Sequence, residues 1–297
     1  MRNVILKNTN QSVYYSPRLL KTKTRRKLAA IGSAIIALII GLILSAPFVW
    51  MIFCSFQETS SDVYAYPPKF PNFLQFKNFL YFITRTNFLK QLKNTMILLV
   101  SNMAIGTTAS VLVAYGFSRF KAKGKRLCFT LLLATMMLPW VVTMVPAYML
   151  FSNVGLVGTF WPLILPSIGG SAYNIFLLRQ FFMGIPKELD EAAKIDGCNT
   201  FQILTRILLP NAKPILATII IFSFIGCWSD YVGPSIYLLD EDLFTVSLGL
   251  YTLKQSFVRP EWQYILAGCT VYALPMIIVY ITCQKAYVRG AIGSAIK

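Results

Sequence analysis

Histidine is absent from all 297 residues. That excludes a Ser-His dyad, a His-ligated zinc and a histidine proton relay within this chain. Acidic side chains are scarce: 11 Asp and Glu stand against 28 Lys and Arg, a formal net charge of +17. Charged residues of both signs reach only 13%, where a soluble domain carries roughly 25%. Six cysteines are present, Cys54, Cys128, Cys198, Cys227, Cys269 and Cys283, with no Cys-x-x-Cys pair. They read as small buried hydrophobes rather than metal or disulfide chemistry. No G-x-x-x-x-G-K-[ST] loop occurs, so the phosphate cradle of ATPases is missing. A TVGYG filter and a voltage-sensor arginine repeat are also missing, which argues against an ion channel. No paired-aspartate motif supports an intramembrane protease.

Apolar residues dominate instead, at 56% of the chain, with a mean hydropathy of +0.60. This places the chain in the membrane class. A helix needs about 20 apolar residues to cross the hydrocarbon core. Six stretches qualify: Leu28 to Phe53, Thr95 to Phe117, Leu127 to Phe151, Thr159 to Leu178, Pro214 to Tyr237 and Tyr264 to Cys283. Pro162, Pro166, Gly169 and Gly170 interrupt the fourth, which a span tolerates when neighbouring helices satisfy the freed backbone. The expected fold is therefore all-α and integral to the membrane, with six transmembrane helices.

The basic residues set the orientation. Arg2, Lys7, Arg18, Lys21, Lys23, Arg25, Arg26 and Lys27 precede the first span with no acid among them. This leader of 27 residues is expected to stay in the cytoplasm, and the long apolar run after it does not read as a cleaved signal peptide. Arg119, Lys121, Lys123, Lys125 and Arg126 fill the loop between spans two and three. The loop between five and six is acidic, with Asp240, Glu241, Asp242 and Glu261 against Lys254 and Arg259. Both termini inside satisfies every loop. Because the charges cluster beside spans, the basic balance is a topology signal and not a nucleic-acid footprint.

One segment between spans four and five breaks the apolar pattern: ELDEAAKIDGCNTFQILTRILLP, Glu188 to Pro210. Pro186 suits a first helical turn, and Glu188, Asp190 and Glu191 suit its positive end. Gly197 is a left-handed stop. Asn199 or Thr200 can cap a second helix that ends at Pro210, with Ile203, Leu204, Ile207 and Leu208 on one face. The expected unit is helix, sharp turn, helix at the cytoplasmic surface. Its first helix is acidic and alanine-rich, unlike the basic helices that lie on bilayers, so it reads as a protein-docking element.

Glu191-Ala192-Ala193, then Gly197, Ile207 and Leu209-Pro210 at their spacing, resembles the EAA signature. That signature marks the membrane subunits of binding-protein-dependent ABC importers. The stretches AYGFSRFKAKGKRLCFTLLLATMMLPWVVTMVPAYML, Cys227 to Tyr231 and QKAYVRGAIGSAIK resemble the MalG-type branch, the second permease of carbohydrate importers. Ser229 stands where that branch usually has Asn. The resemblance implies the type I importer transmembrane fold, with residues 1–27 a basic cytoplasmic segment and 28–297 one six-span domain. It makes residues 186–210 coupling helices that fit a groove on a cytoplasmic ATPase through Glu191, Ala192, Ala193, Asp196, Gly197, Ile207, Leu209 and Pro210.

The resemblance also implies partners: a second related permease in a heterodimer, a dimeric ABC ATPase, and an extracellular or periplasmic solute-binding protein. That protein delivers a mono- or oligosaccharide and meets the loop from Leu238 to Trp262, for which the competing reading is a solvated connector. ATP and Mg belong to the ATPase, so no cofactor and no catalytic residue is expected in this chain. Trp140, Tyr173, Asn174, Trp228, Asp230 and Tyr231 are candidates for a sugar path, since aromatic faces and hydrogen-bonding groups suit a sugar; the competing reading is interfacial or packing residues. The alternative function is a secondary carrier that works without an ATPase. Such carriers place ionisable residues mid-membrane, and here only Asp230 comes near.

Overall fold

The computed structural model describes residues 17–72, 76–255 and 261–295, with side chains placed between residues 29 and 283. Helix is the only regular structure among them. Helix α1, Pro17–Ser55, runs without a break through the expected boundary at residue 28. Residues 1–16 of the expected cytoplasmic leader lie outside the described residues. The chain forms two compact units, Met1–Met51 and Ile52–Lys297. In the first, Ala29 onward carries no charged residue, and large side chains such as Ile36 and Leu44 are exposed all round. A helix without a polar face belongs in lipid.

The second unit begins with the one-turn α2, Ser60–Val63, and α3, Lys77–Arg85. Helix α4, Phe88–Arg119, spans 32 residues, about 48 Å at 1.5 Å per residue. The third apolar stretch is not one rod: α5, Lys125–Thr135, and α6, Trp140–Asn153, meet at 98°. Pro139 sits at the break, in extended geometry as the cap of α6. It cannot donate to the preceding turn, so the helix stops there. The fourth span is α7, Trp161–Ile164, a 3-10 turn over Leu165–Gly169, and α8, Ala172–Gly184. Pro162, Pro166 and Gly169 fall in the first two pieces, and Gly170 caps the second. Among the described residues, four helical stretches are long and apolar enough to cross a membrane, and up to six if each bent pair is one span.

Helix α4 is the central post. Gly170, at φ +71°, lies where an added Cβ would come 2.9 Å from Ser110 Oγ and 3.0 Å from its backbone nitrogen. Ser110 Oγ donates to Gly106 O at 2.6 Å and accepts from Ser171 N at 3.1 Å. Small residues thus let the start of α8 touch α4, the usual device where lipid gives no hydrophobic drive for association. Deeper along the same contact, Val111, Ala114, Tyr115, Ile175, Leu178 and Phe182 form the main core.

At the far end of α4, three segments remote in sequence are laced together. Asn78 Nδ2 donates to Ser55 O and Gln57 O at 2.9 and 2.7 Å. Asn94 Nδ2 donates to Asp242 O and Phe244 O at 2.8 and 3.1 Å. Ser60 Oγ donates to Gln263 Oε1 at 2.6 Å. The Lys69 ammonium, then the Thr59 hydroxyl, hold the Asp62 carboxyl below its ordinary range. After α13, Val232–Tyr237, the expected loop from Leu238 to Trp262 contains a packed helix, α14, Val246–Gln255, with Val246, Leu248 and Leu253 buried. The apolar residues there follow a helical spacing, and its acidic beginning holds a 3-10 turn, Glu241–Leu243. Residues 256–260 of it lie outside the described residues. The last helix, α15, is Trp262–Ala295.

Candidate functional site

The polar segment after α8 folds as a helix, a turn and a second helical run. Helix α9 is Glu188–Ile195, with three acids in its first turn and Lys194 in its last, each complementing the helix dipole. Lys187 is its cap, so Pro186 stands just outside the first turn. At the other end Gly197 takes φ +80°. Cys198 N then bonds Ala193 O at 2.9 Å and Gly197 N bonds Lys194 O at 3.1 Å, the paired closure of a Schellman turn. Asn199 restarts the chain with a reciprocal cap. Its Oδ1 accepts from Gln202 N at 2.9 Å, and Gln202 Oε1 accepts from Asn199 N at 2.8 Å.

The second run differs from the expected simple helix ending at Pro210. It is α10, Thr200–Ile203, a π-helical turn over Leu204–Leu208, and α11, Leu209–Asn211. Pro210 has no N–H for the ladder, and Asn211 Nδ2 donates to Ile207 O at 2.7 Å beside it. The chain then bends by 81° into α12, Lys213–Ser229. Ile203, Leu204 and Leu208 are buried in the core while Ile207 is half-buried.

Burial divides α9 into two faces. Ala193 and Asp190 are buried. Glu191, Ala192 and Asp196 are exposed, and so are Leu189, Ile195 and Phe201, the last two at 87% and 65%. An acidic rim around small and apolar groups therefore faces away from the protein.

The buried face is tied to α4 by a contact that sequence patterning did not single out. Arg119 Nε lies 2.7 Å from Asp190 Oδ2, with the side chains only 6% and 12% exposed. The approach is ionic and not along an N–H direction, since Arg119 Nε makes no hydrogen bond. Arg119 Nη2 also donates to Ile185 O at 3.1 Å, and Tyr115 OH donates to Thr200 O at 3.1 Å. The last turn of α4 thus grips both helical runs. In sequence, Arg119 is one of five basic residues in a topology loop, and nothing marks it from the other four.

The six path candidates do not converge. Asn174 and Asp230 line one cleft of about 380 Å³, together with Thr95, Asn102, Cys227 and Thr245. Asp230 Oδ1 accepts from Gly233 N at 3.0 Å. Trp228 is 2% exposed; its Nε1 donates to Tyr272 O at 3.2 Å and Tyr272 OH returns a bond to Trp228 O at 2.9 Å. It packs α12 on α15. Trp140 is exposed at the start of α6, and Tyr173 and Tyr231 are exposed, the latter against Tyr251 at 5.2 Å between rings.

A family model described as "Binding-protein-dependent transport system inner membrane component" matches residues 106–292, a span that includes α4's grip on the whole EAA segment. The chain belongs to that family. This permease is 34% identical over 281 residues to the "Probable ABC transporter permease protein YurM" of Bacillus subtilis (strain 168), covering 93% of this chain and 92% of that one. It is 29% identical to the "Galactooligosaccharides transport system permease protein GanQ" of the same organism, over 90% of this chain and 95% of that one. Its fold matches a chain in "Crystal structure of a bacterial ABC transporter involved in the import of the acidic polysaccharide alginate" with a TM-score of 0.77 at 23% identity, covering 87% and 96% of the two chains. The protein is a multi-pass inner-membrane ABC importer permease of the type I architecture.

Proposed function

We propose that the permease carries a sugar or oligosaccharide across the membrane, paired with a second related permease. A dimeric cytoplasmic ATPase binds ATP and magnesium and does the hydrolysis; this chain holds no cofactor and no catalytic group. A solute-binding protein delivers the sugar to the opposite face. The relatives' names support the substrate class: among them are permeases for galactooligosaccharides and for lactose.

The observation that carries the reading is the two-faced α9. Its outer face, with Glu191, Ala192 and Ile195, is shaped for a groove: a small residue permits close backbone approach, and acids at the rim can meet basic partners. Its inner face is anchored to α4 through Asp190 and Arg119. Closure of the ATPase dimer then moves α9 and the end of α4 together. Gly197, Ile207, Leu209 and Pro210 shape the return into α12. Asn174 and Asp230, in the polar cleft, are the stronger candidates for contact with sugar hydroxyls; Trp140, Tyr173 and Tyr231 are open to a shared path with the second permease, and Trp228 supports from behind.

Cysteine crosslinking tests the docking. With the six native cysteines replaced, Ala192→Cys should crosslink to a cysteine in the ATPase groove, and the yield should change with nucleotide. No crosslink in any nucleotide state would overturn the assignment.

A further inference from the structure

The junction of α4 with α5 carries a charge pattern that neither coupling nor the cleft uses. Lys125, Arg126 and Arg179 line a second cleft of about 550 Å³ with Ala122, Phe129 and Thr130. No carboxylate lines it, and none of the three cations is in an ion pair among the described residues. Two are held in place. Arg179 Nε donates to Phe117 O at 3.3 Å while its guanidinium lies over the Phe129 ring, 4.0 Å from the centroid. Lys125 Nζ donates to Phe120 O at 2.7 Å.

Helix α5 starts at the same place. Its first turn has no acid, and its cap, Gly124, gives no side-chain hydrogen bond. Lys125 and Arg126 therefore stand at the positive end of a helix, where the dipole disfavours cations and favours an anion. The apolar Leu127 and Leu131, one turn apart on α5, are exposed at 64% and 58%. By helical position this apolar strip flanks Arg126 and Thr130, which line the cationic cleft. It lies at the coupling end of the molecule, since Arg179 belongs to the helix that leads into α9.

We propose that this cleft holds the phosphate headgroup of an anionic phospholipid, with an acyl chain along Leu127 and Leu131. Basic pockets between spans on the cytoplasmic side suit such headgroups. The planar guanidinium of Arg179 keeps its Nη groups for phosphate oxygens, and the fork matches their geometry. A free phosphate ion would use the same cations but would gain nothing from the apolar strip. A lipid held there bridges α5 to the α4–α8 pair that carries the coupling segment.

The test uses the full-length chain purified from membranes into an equal mixture of phosphatidylglycerol and phosphatidylcholine, with retained lipid counted by native mass spectrometry. Phosphatidylglycerol should be retained in preference. Arg126→Gln and Arg179→Gln should each lower that preference about fivefold, the effect expected of one cation near an anionic surface. Arg126→Lys should keep most of it. Arg126 is exposed, so its substitution decides the matter even if Arg179→Gln fails to fold. Equal retention of the two lipids, or a preference unchanged by Arg126→Gln, overturns the proposal. Displacement of the bound lipid by excess inorganic phosphate also overturns it and assigns the cleft to a soluble anion.

Discussion

Removing Arg119 should uncouple and destabilise the permease together. The Arg119→Met variant keeps the length of the side chain and removes the charge, which leaves the Asp190 carboxylate buried against α4. Asp190 Oδ1 already lacks a hydrogen-bond partner among the described residues, so nothing nearby replaces the guanidinium. Breaking a buried pair in this way costs about 3–5 kcal/mol. Asp190→Leu alone should cost a similar amount, because it strands the guanidinium. Replacing both partners with apolar groups is often neutral, so the double variant should regain most of the loss. If the two sites were independent, their costs would add. The assay is a double-mutant cycle on the purified importer, followed by thermal unfolding and by ATPase stimulation with the loaded binding protein. Stimulation should fall in both single variants and return in the double. Two single variants of wild-type stability, or a double variant as poor as the sum of the singles, would refute the claim that this pair links α9 to α4.

Three further outcomes follow from the geometry. Gly197→Val forces a β-branched residue to φ +80°, at a cost of roughly 1–2 kcal/mol or more, so uptake should collapse in a variant that still inserts; normal uptake counts against the turn's role. Gly170→Val meets both a positive φ and Ser110, so strain and overpacking together should cost roughly 2–6 kcal/mol and lower the yield of folded protein; an unchanged melting temperature would show that α4 and α8 separate freely. Reporter fusions after Lys125 and Lys194 should read as cytoplasmic, and those near Val154 and Asp242 as external; an inverted reporter at Asp242 breaks the six-span scheme.

What the sequence made legible depended on the range of the forces involved. Apolar runs, loop charges and the Gly197 stop are local, and the spans, the turn and a cap at Asn199 or Thr200 were readable from them, the structure choosing Asn199. The right-angle break at Pro139 was harder, because a proline in a span is as often a kink as an end. The π-helical turn before Pro210 arises from a missing N–H inside a continuous apolar face, which periodicity does not register. The Arg119–Asp190 pair joins positions 71 residues apart, and each charge had a sufficient local explanation of its own. Trp228 shows the same limit in reverse: its indole suits a sugar in sequence, yet its hydrogen bonds to Tyr272 are a tertiary fact.

The elbow before Lys213 has a mechanical meaning. A displacement along the Thr200–Asn211 run meets α12 at 81°, so its component along the α12 axis is cos 81°, roughly a sixth, and nearly all of it acts sideways. A shove delivered at the cytoplasmic surface therefore tilts this span instead of sliding it through the bilayer. Tilting leaves Lys213 at its own depth and keeps the charged groups of the Glu188–Pro210 segment in water. The far end of α12, where Asp230 borders the polar cleft, then swings the opposite way. The elbow would make the span a rocker with its fulcrum inside the bilayer, so that its two ends travel in opposite directions.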